Sequence, residues 1–289
     1  IKMTSCRVIL LDEAEIDVTI TEHSTGNDVF SNVCKYLNLI ETDYFGIIRK
    51  TSDREHNWIN LEKSLHKQIV KEERANLIFH FAVKFYPTDP TFLREEITKY
   101  LLCLQIRDDL TSARLPCPLD TLALLSSYWL QSEMGDYDVE SDEVEECLRS
   151  LRGAKGQSMP EFDGKVLDLY KSRRGMPPSD ADTQFLRLAS QLPLYGVHRY
   201  QAEEESAISI GVGSVGLVEI GEKESTFHKW IQIKNINYKK NKFYLKLLPK
   251  IAGGRSILKK YHMRSSSVAK TMWLVAVDHH VFYRVTASD

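Results

Sequence analysis

Lys84-Phe85-Tyr86-Pro87-Thr88-Asp89-Pro90 is where the rhythm of the chain changes. Before it, short apolar runs alternate with turn residues. After it, apolar residues recur every three or four positions. Asp89 is a capping residue type, and Pro90 suits the first helical position, where an N–H would have no intrahelical partner. Leu93, Ile97, Tyr100, Leu101 and Leu104 then fall on one stripe, the pattern of a helix packed on one side.

Upstream, Cys6–Leu11 and Ile16–Ile20 flank Asp12-Glu13-Ala14-Glu15, which reads as a hairpin. Thr25-Gly26-Asn27-Asp28 has the form of a capping box, followed by Val29, Phe30, Val33, Cys34 and Leu37 at helical spacing. Tyr44–Ile48, Trp58-Ile59 and Leu77–Phe81 read as strands, so the first 85 residues have the outline of a ubiquitin-like roll. Downstream, residues 86–193 are helical. Leu119–Leu130 is apolar almost all round and is expected to be central. Ser158-x-x-Glu161 and Ser179-x-x-Asp182 are two further capping-box patterns, opening stripes at Phe162, Val166, Leu169, Tyr170 and at Phe185, Leu188, Ala189, Leu192. Residues 194–289 return to strands at Ile208–Val212, Leu217–Ile220, Trp230–Ile236 and Phe243–Leu248. A last helix over Ser267–Tyr283 carries Ala269, Met272, Trp273, Ala276 and His280 on one side. This is the outline of a pleckstrin-homology or phosphotyrosine-binding-like sandwich.

The chain has 289 residues, 43% hydrophobic and 27% charged, with a net charge of −2. That composition is globular and carries no global excess pointing to nucleic acid or membrane. Five cysteines without a C-x-x-C pair make neither a disulfide framework nor a zinc site, and suit a reducing cytosol. No apolar run reaches the ~18 residues of a membrane span. Ile1-Lys2-Met3 begins no signal peptide, and the absence of Met at position 1 suggests a piece of a longer protein.

Several patterns resemble chemistry. Gly211-Val-Gly213-Ser-Val-Gly216 matches G-x-G-x-x-G, but a dinucleotide site needs a helix after it, and Leu217–Ile220 is a strand pattern. A hairpin turn explains it. Asp278-His279-His280 has no third ligand at metal spacing, and His280 falls on the apolar stripe. Glu95-Glu96 and Asp108-Asp109 are adjacent pairs that point to different helix faces, so they read as solvated charges. The eight acids between Glu133 and Glu146 read as a solvated stretch. No nucleophile motif is present, and no catalytic residue, metal or cofactor is assigned.

Two features rise above this background. Residues 223–264 hold twelve Lys or Arg against one acid, Glu224, which leaves the rest of the chain at −13. Such a basic segment suits anionic lipid headgroups; nucleic acid would want more exposed aromatics. The second feature is a groove between a strand edge and the C-terminal helix. Its edge is expected at Ile233, Lys234, Asn235, Ile236, Asn237 and Tyr238, and its helix wall at Ala269, Met272, Trp273 and Ala276. An extended peptide could pair with that edge. Lys234, Lys239 and Lys270 nearby would favour acidic tails.

Three such segments in this order resemble the FERM domain of the band 4.1 superfamily over nearly the whole chain. The likeness is densest at Lys84–Pro90, at Tyr100-Leu-Leu-Cys-Leu-Gln-Ile-Arg-Asp-Asp109 and at Arg114-Leu-Pro-Cys117. It continues at Gln131-Ser-Glu-Met-Gly-Asp-Tyr-Asp138, Tyr195-Gly-Val197 and Asp278-His-His-Val-Phe-Tyr-Arg284, with Asp43-Tyr-Phe-Gly46 in the first lobe. The final-helix and helical-lobe motifs look most like the 4.1 branch. The resemblance implies an α+β, three-lobed cloverleaf: a ubiquitin-like lobe (1–85), an acyl-CoA-binding-protein-like helical lobe (86–193) and a pleckstrin-homology-like lobe (194–289).

The same resemblance implies a non-catalytic adaptor on the cytoplasmic face of the plasma membrane. It would bind tails of membrane proteins and phosphoinositides and tie the membrane to the spectrin–actin cytoskeleton. In related domains an inositol phosphate sits between the first and third lobes. Lys63 and Lys67 stand at the matching place in the first lobe, and Arg255, Lys259 and Lys260 are added from the third by charge. Two departures stand out. Lys229-Trp230-Ile231 replaces the usual aromatic-Trp-Pro run, so the edge strand is expected to start differently. Residues 139–157 are acidic and then Gly-rich where relatives often carry an aromatic. The alternative reading is the membrane-targeting FERM module of a larger cytosolic tyrosine phosphatase, which only sequence beyond Asp289 would distinguish.

Overall fold

A computed structural model describes residues 4–50, 56–69, 77–138, 142–151, 159–202, 208–222, 224–249, 251 and 254–286. The chain forms two compact units, one of residues 1–47 and 60–195, the other of residues 48–59 and 196–289.

The first unit begins with the expected hairpin of β1 (Thr4–Ile9) and β2 (Glu15–Ile20), with Val8 opposite Ile16. Helix α1 (Gly26–Tyr36) follows, and its capping box is fully formed: Thr25 accepts from the Asp28 N–H while Asp28 accepts from the Thr25 N–H at 2.7 Å. The α1 residues Val29, Phe30, Val33 and Cys34 are buried. Next come β3 (Phe45–Lys50), β4 (His56–Trp58) and β5 (Leu77–Val83). β5 runs parallel to β1, and the strand order is β2-β1-β5-β3. Phe45 stacks on Phe81, with centroids 5.0 Å apart, in the core of the roll.

Among the described residues, five α-helices complete this unit: α2 (Glu96–Thr111), α3 (Leu119–Met134), α4 (Asp142–Leu151), α5 (Pro160–Lys171) and α6 (Pro178–Ala189). Three expectations change here. Asp89 caps only a single 3-10 turn, Pro90–Phe92, and α2 starts at Glu96. α2 is buried on several faces rather than along one stripe, through Leu101, Leu102, Cys103, Ile106 and the polar Gln105, Arg107 and Asp109. The Ser179 box does not form: Pro177 and Pro178 fix the start of α6, and Asp182 instead accepts from Ser132 on α3 at 2.6 Å. At α5, Met159 is the cap and Pro160 the first helical residue; Ser158 lies outside the described residues. The α3, α4 and α5 core gathers Ala123, Leu130, Val144, Leu148, Phe162, Val166 and Tyr170.

The motif residues at the strand-to-helix junction meet in a buried polar knot. The Tyr86 hydroxyl donates to Asp109 at 2.6 Å, Arg114 Nε donates to the same carboxylate at 3.0 Å, and Gln105 receives the Val83 N–H at 3.1 Å. The Tyr195 ring stands edge-on to Tyr86 at 5.4 Å, and its hydroxyl donates to the Pro87 carbonyl. Asp109 is therefore a buried acceptor, not a solvated charge. Glu95 also differs from expectation: it accepts the N–H groups of Ile40 and Glu41, while Glu41 accepts that of Glu95 at 3.0 Å.

The second unit is a sandwich. β6 (His198–Gln201), β7 (Ser209–Gly213), β8 (Gly216–Ile220) and β9 (Ser225–Lys229) form one antiparallel sheet. β10 (Ile233–Lys239), β11 (Lys242–Leu247) and β12 (Ile257–His262) form the other, and α7 (Ser266–Thr286) follows. β6, β9 and β12 carry little alternation that sequence alone could detect. The core gathers Tyr200, Val212, Leu217, Phe243, Leu245, Met263, Val268, Met272 and Val275. Trp58 of β4 packs on it, edge-on to His198 at 5.6 Å.

Candidate functional site

In the strand order β10-β11-β12, β10 is an edge. Its turn is two residues long, because Lys239 pairs directly with Lys242. Antiparallel alternation then makes 239, 237 and 235 face β11, and leaves the backbone groups of Ile236 and Tyr238 pointing outward. The edge starts at Ile233 because Trp230–Gln232 form a 3-10 turn, not the strand expected there. Among the outward groups, two already have side-chain partners. The Trp273 indole donates to the Ile236 carbonyl at 3.3 Å, and Asn237 Oδ1 accepts the Tyr238 N–H at 2.8 Å. The edge is thus half plugged, a common protection against unwanted strand pairing.

The helix wall differs from the expected one. Ala269, Met272 and Ala276 are completely buried in the sandwich core and have no surface to offer a ligand. The expected phase follows small and apolar residues, but the core takes them: Val268, Ala269, Met272, Val275, Ala276 and His279 face inward. Trp273 alone of the four lies at the groove, half buried and 5.4 Å from the Tyr238 ring. Val277 and His280 continue its line, four and seven residues on, and His280 lies 5.4 Å from the Trp230 ring. His279, not His280, is the packed histidine, with Nδ1 2.9 Å from the Val275 carbonyl. The candidate groove is therefore bounded by Ile233, Ile236 and Tyr238 on β10 and, on α7, by Trp273 with Val277 and His280 along its line.

The basic residues separate by strand alternation. Lys63, Lys67, Arg255 and Lys260 are exposed. Lys259 faces inward, and its ammonium meets Glu219 Oε1 at 2.6 Å. His228 Nε2 lies 2.7 Å from the same oxygen, and the Tyr261 hydroxyl donates to it as well. Burial works against the Glu219 charge, but the three donors together hold its pKa below the usual carboxylate value. Burial, and then Glu219 itself, push the Tyr261 phenol far up. Lys259 is thereby a cross-sheet tie between β8 and β12 rather than a free headgroup ligand.

The glycine triplet is a hairpin. Gly213 pairs with Gly216, and a strand follows. Gly216 has φ 152°, and a Cβ there would lie 2.0 Å from the His228 carbonyl oxygen; one on Gly211 would meet Val197 at 2.4 Å. Sheet packing, not phosphate binding, requires them. Among the described residues no cluster of His, Cys, Asp and Glu is arranged to hold a metal, and no helix is long and apolar enough to cross a membrane.

The FERM N-terminal domain family matches residues 8–71, the FERM central domain family residues 88–200, and the FERM C-terminal PH-like domain family residues 202–289. Human Band 4.1-like protein 3 is 39% identical over 290 residues, covering 98% of this chain and 26% of that protein. Protein 4.1 of Bos taurus is 38% identical over 287 residues, covering 98% of this chain and 46% of that protein. The chain spans less than half the length of these relatives. The FERM and C-terminal domain complex of Drosophila Merlin superposes with a TM-score of 0.82 at 24% identity, covering 98% of this chain and 97% of that one. That likeness bears on the fold alone. Roll, helices and sandwich thus follow one another in the order of the three matched segments, and the chain belongs to the band 4.1 family as a three-lobed α+β FERM domain.

Proposed function

We propose that this FERM domain is a non-catalytic adaptor that takes the cytoplasmic tails of membrane proteins along the β10–α7 groove. Through such tails and phosphoinositides it links the plasma membrane, at its cytoplasmic face, to the spectrin–actin cytoskeleton. The lobes that serve this role are bounded at 1–85, 86–193 and 194–289. The observation that carries the reading is the seven-residue edge strand lying beside a line of half-buried Trp273, Val277 and His280. A tail segment would add as a strand and set alternate side chains against that line. Exposed Lys234, Lys239 and Lys270 at its margins favour acidic tails. Lys63, Lys67, Arg255 and Lys260 are the headgroup ligands in this reading.

The groove is tested with fluorescent cytoplasmic-tail peptides of single-pass membrane proteins, read by anisotropy. Val277→Trp should fill the groove and abolish binding while the protein melts as before. Asn237→Ala should strengthen binding severalfold, because it frees the Tyr238 N–H for a ligand. Tail binding that is indifferent to both substitutions would place the partner site in another lobe.

A further inference from the structure

Helix α1 buries Val29, Phe30, Val33 and Cys34 in the roll, and the chain then turns back beside it. Asn38 makes that turn in the left-handed conformation, with φ 52°, which Asn adopts at low cost. The Leu39 N–H donates to the Cys34 carbonyl at 2.9 Å. The next two N–H groups, of Ile40 and Glu41, go to the Glu95 carboxylate. The returning segment is therefore tied to the helix at one end and to Glu95 at the other, and it stands as a fixed wall. Between this wall and α1 lies a groove of about 370 Å³.

The groove has an apolar floor and a polar margin. Phe30, Cys34 and Leu39 make the floor and are buried, and Phe30 is itself anchored against Phe81 in the core of the roll. Ile40 forms the lip of the wall and is 80% exposed, an apolar side chain that folding leaves in water. Lys35 is the one charged side chain of the lining, and it is exposed. Glu41 and Glu95, the acids at the wall, are already committed to backbone N–H groups. The α1 side of the lining runs along one stripe from Asn27 to Asn38, three turns or about 16 Å of helix.

We propose that this groove binds a straight-chain carboxylate, its chain lying along α1 against Phe30, Leu39 and Ile40 and its head paired with Lys35. A stripe three turns long suits an extended chain better than a compact ring. A preformed apolar lining with a single charge at its margin is the composition of a site that holds an apolar body and orients it by one polar head. Such a ligand also covers Ile40. The site lies within the roll and is independent of the tail groove of the second unit, so its failure leaves that reading untouched.

The test is titration of the isotopically labelled chain with octanoate, read from backbone amide shifts. Octanoate should move the amides of Lys35, Leu39 and Ile40. From butanoate to octanoate, each added methylene should tighten binding about two- to fourfold, because it leaves water for the floor. Ile40→Ser should weaken octanoate binding about tenfold. Lys35→Gln should weaken it about fivefold at low salt, and this loss should fade as salt screens the pair. Ser31→Trp should fill the groove and abolish binding. Ile40 and Lys35 face solvent, so their variants should melt as the wild type does and carry the test even if Ser31→Trp does not fold. Octanol should bind about fivefold more weakly than octanoate and ignore Lys35→Gln. Octanol binding as tightly as octanoate would overturn the carboxylate assignment. Octanoate shifts confined to the second unit, shifts undiminished in a folded Ser31→Trp or in Ile40→Ser, or no shifts up to the solubility limit would each overturn the site.

Discussion

Lys259 and Lys260 are neighbours of one charge, and the fold gives them opposite consequences. Lys259 is 34% exposed and binds Glu219, itself 18% exposed, whereas Lys260 points away from the core. Glu219→Ala would remove the acceptor shared by Lys259, His228 and the Tyr261 hydroxyl. A shielded hydrogen bond to a charged group contributes about 1.5–3 kcal/mol, and an unpaired half-buried hydroxyl costs about 1–3 kcal/mol. Lys259 can turn to water, so its own share falls toward the ~1 kcal/mol of exposed pairs. The sum is about 3 kcal/mol for Glu219→Ala and about 1 kcal/mol for Lys259→Met. In a unit of about 100 residues, 3 kcal/mol lowers the melting temperature by about 10–20 °C. Lys260→Ala should stay within about 0.5 kcal/mol. Thermal melts and urea titrations check this. The acid limb adds a second readout. Glu219 has a depressed folded pKa, so its contribution is present above the unfolded value of 4.5 and is lost as pH falls through the lower folded value. Glu219→Gln should flatten that part of the stability profile. If Glu219→Ala and Lys260→Ala melt together, the cross-sheet tie contributes nothing and the assignment of Lys259 is wrong.

Three other outcomes follow from the geometry. Tyr86→Phe should cost about 1–3 kcal/mol in urea titration, because Asp109 loses a donor at 2.6 Å in a buried site; Asp109→Ala should cost more, since it removes the acceptor that the Tyr86 hydroxyl and Arg114 Nε share. Thr25→Ala should cost about 1 kcal/mol and Thr25→Ser little, since the hydroxyl is what caps α1. Gly216→Ala should disrupt the β7–β8 hairpin, seen as a lower melting temperature, and calorimetry should detect no NAD binding to the wild type; measurable affinity abolished by Gly213→Val would overturn the hairpin reading.

What the sequence made legible is what local chemistry determines. The α1 capping box, the β1–β2 hairpin and the glycine hairpin were readable because each follows from a few adjacent residues. The helix starts at Ser179 and Asp89 were misread because prolines override a neighbouring cap, and a 3-10 turn satisfies a cap as well as an α-helix does. The groove wall was misread for a different reason. Ala269, Met272 and Ala276 have the right period, but period alone cannot say which face of α7 the core claims. Lys259 and Lys260 could be told apart only from strand register, and β12 had no detectable alternation to supply it. The hydrogen bond of Trp273 to the Ile236 carbonyl was not legible, because it joins residues 37 positions apart.

The residues that make the family recognisable and the residues available to a partner are largely different sets. Tyr86, Asp109, Arg114 and Tyr195 are spent on a buried polar junction, where an unpaired buried carboxylate would be costly. On the groove reading proposed above, partner choice rests on positions outside that junction, such as exposed Lys234 and half-buried Val277. The β10 edge sharpens this. A tail that pairs there must replace the Trp273 indole at the Ile236 carbonyl with its own backbone N–H, exchanging one hydrogen bond for another of similar strength. It must do the same for Asn237 at the Tyr238 N–H. The ladder therefore yields little net gain at these two positions, and affinity has to come from side chains that bury surface against Trp273, Val277 and His280. On the proposed groove reading, selectivity accordingly belongs to the tail's alternate side chains, while the strand edge supplies register.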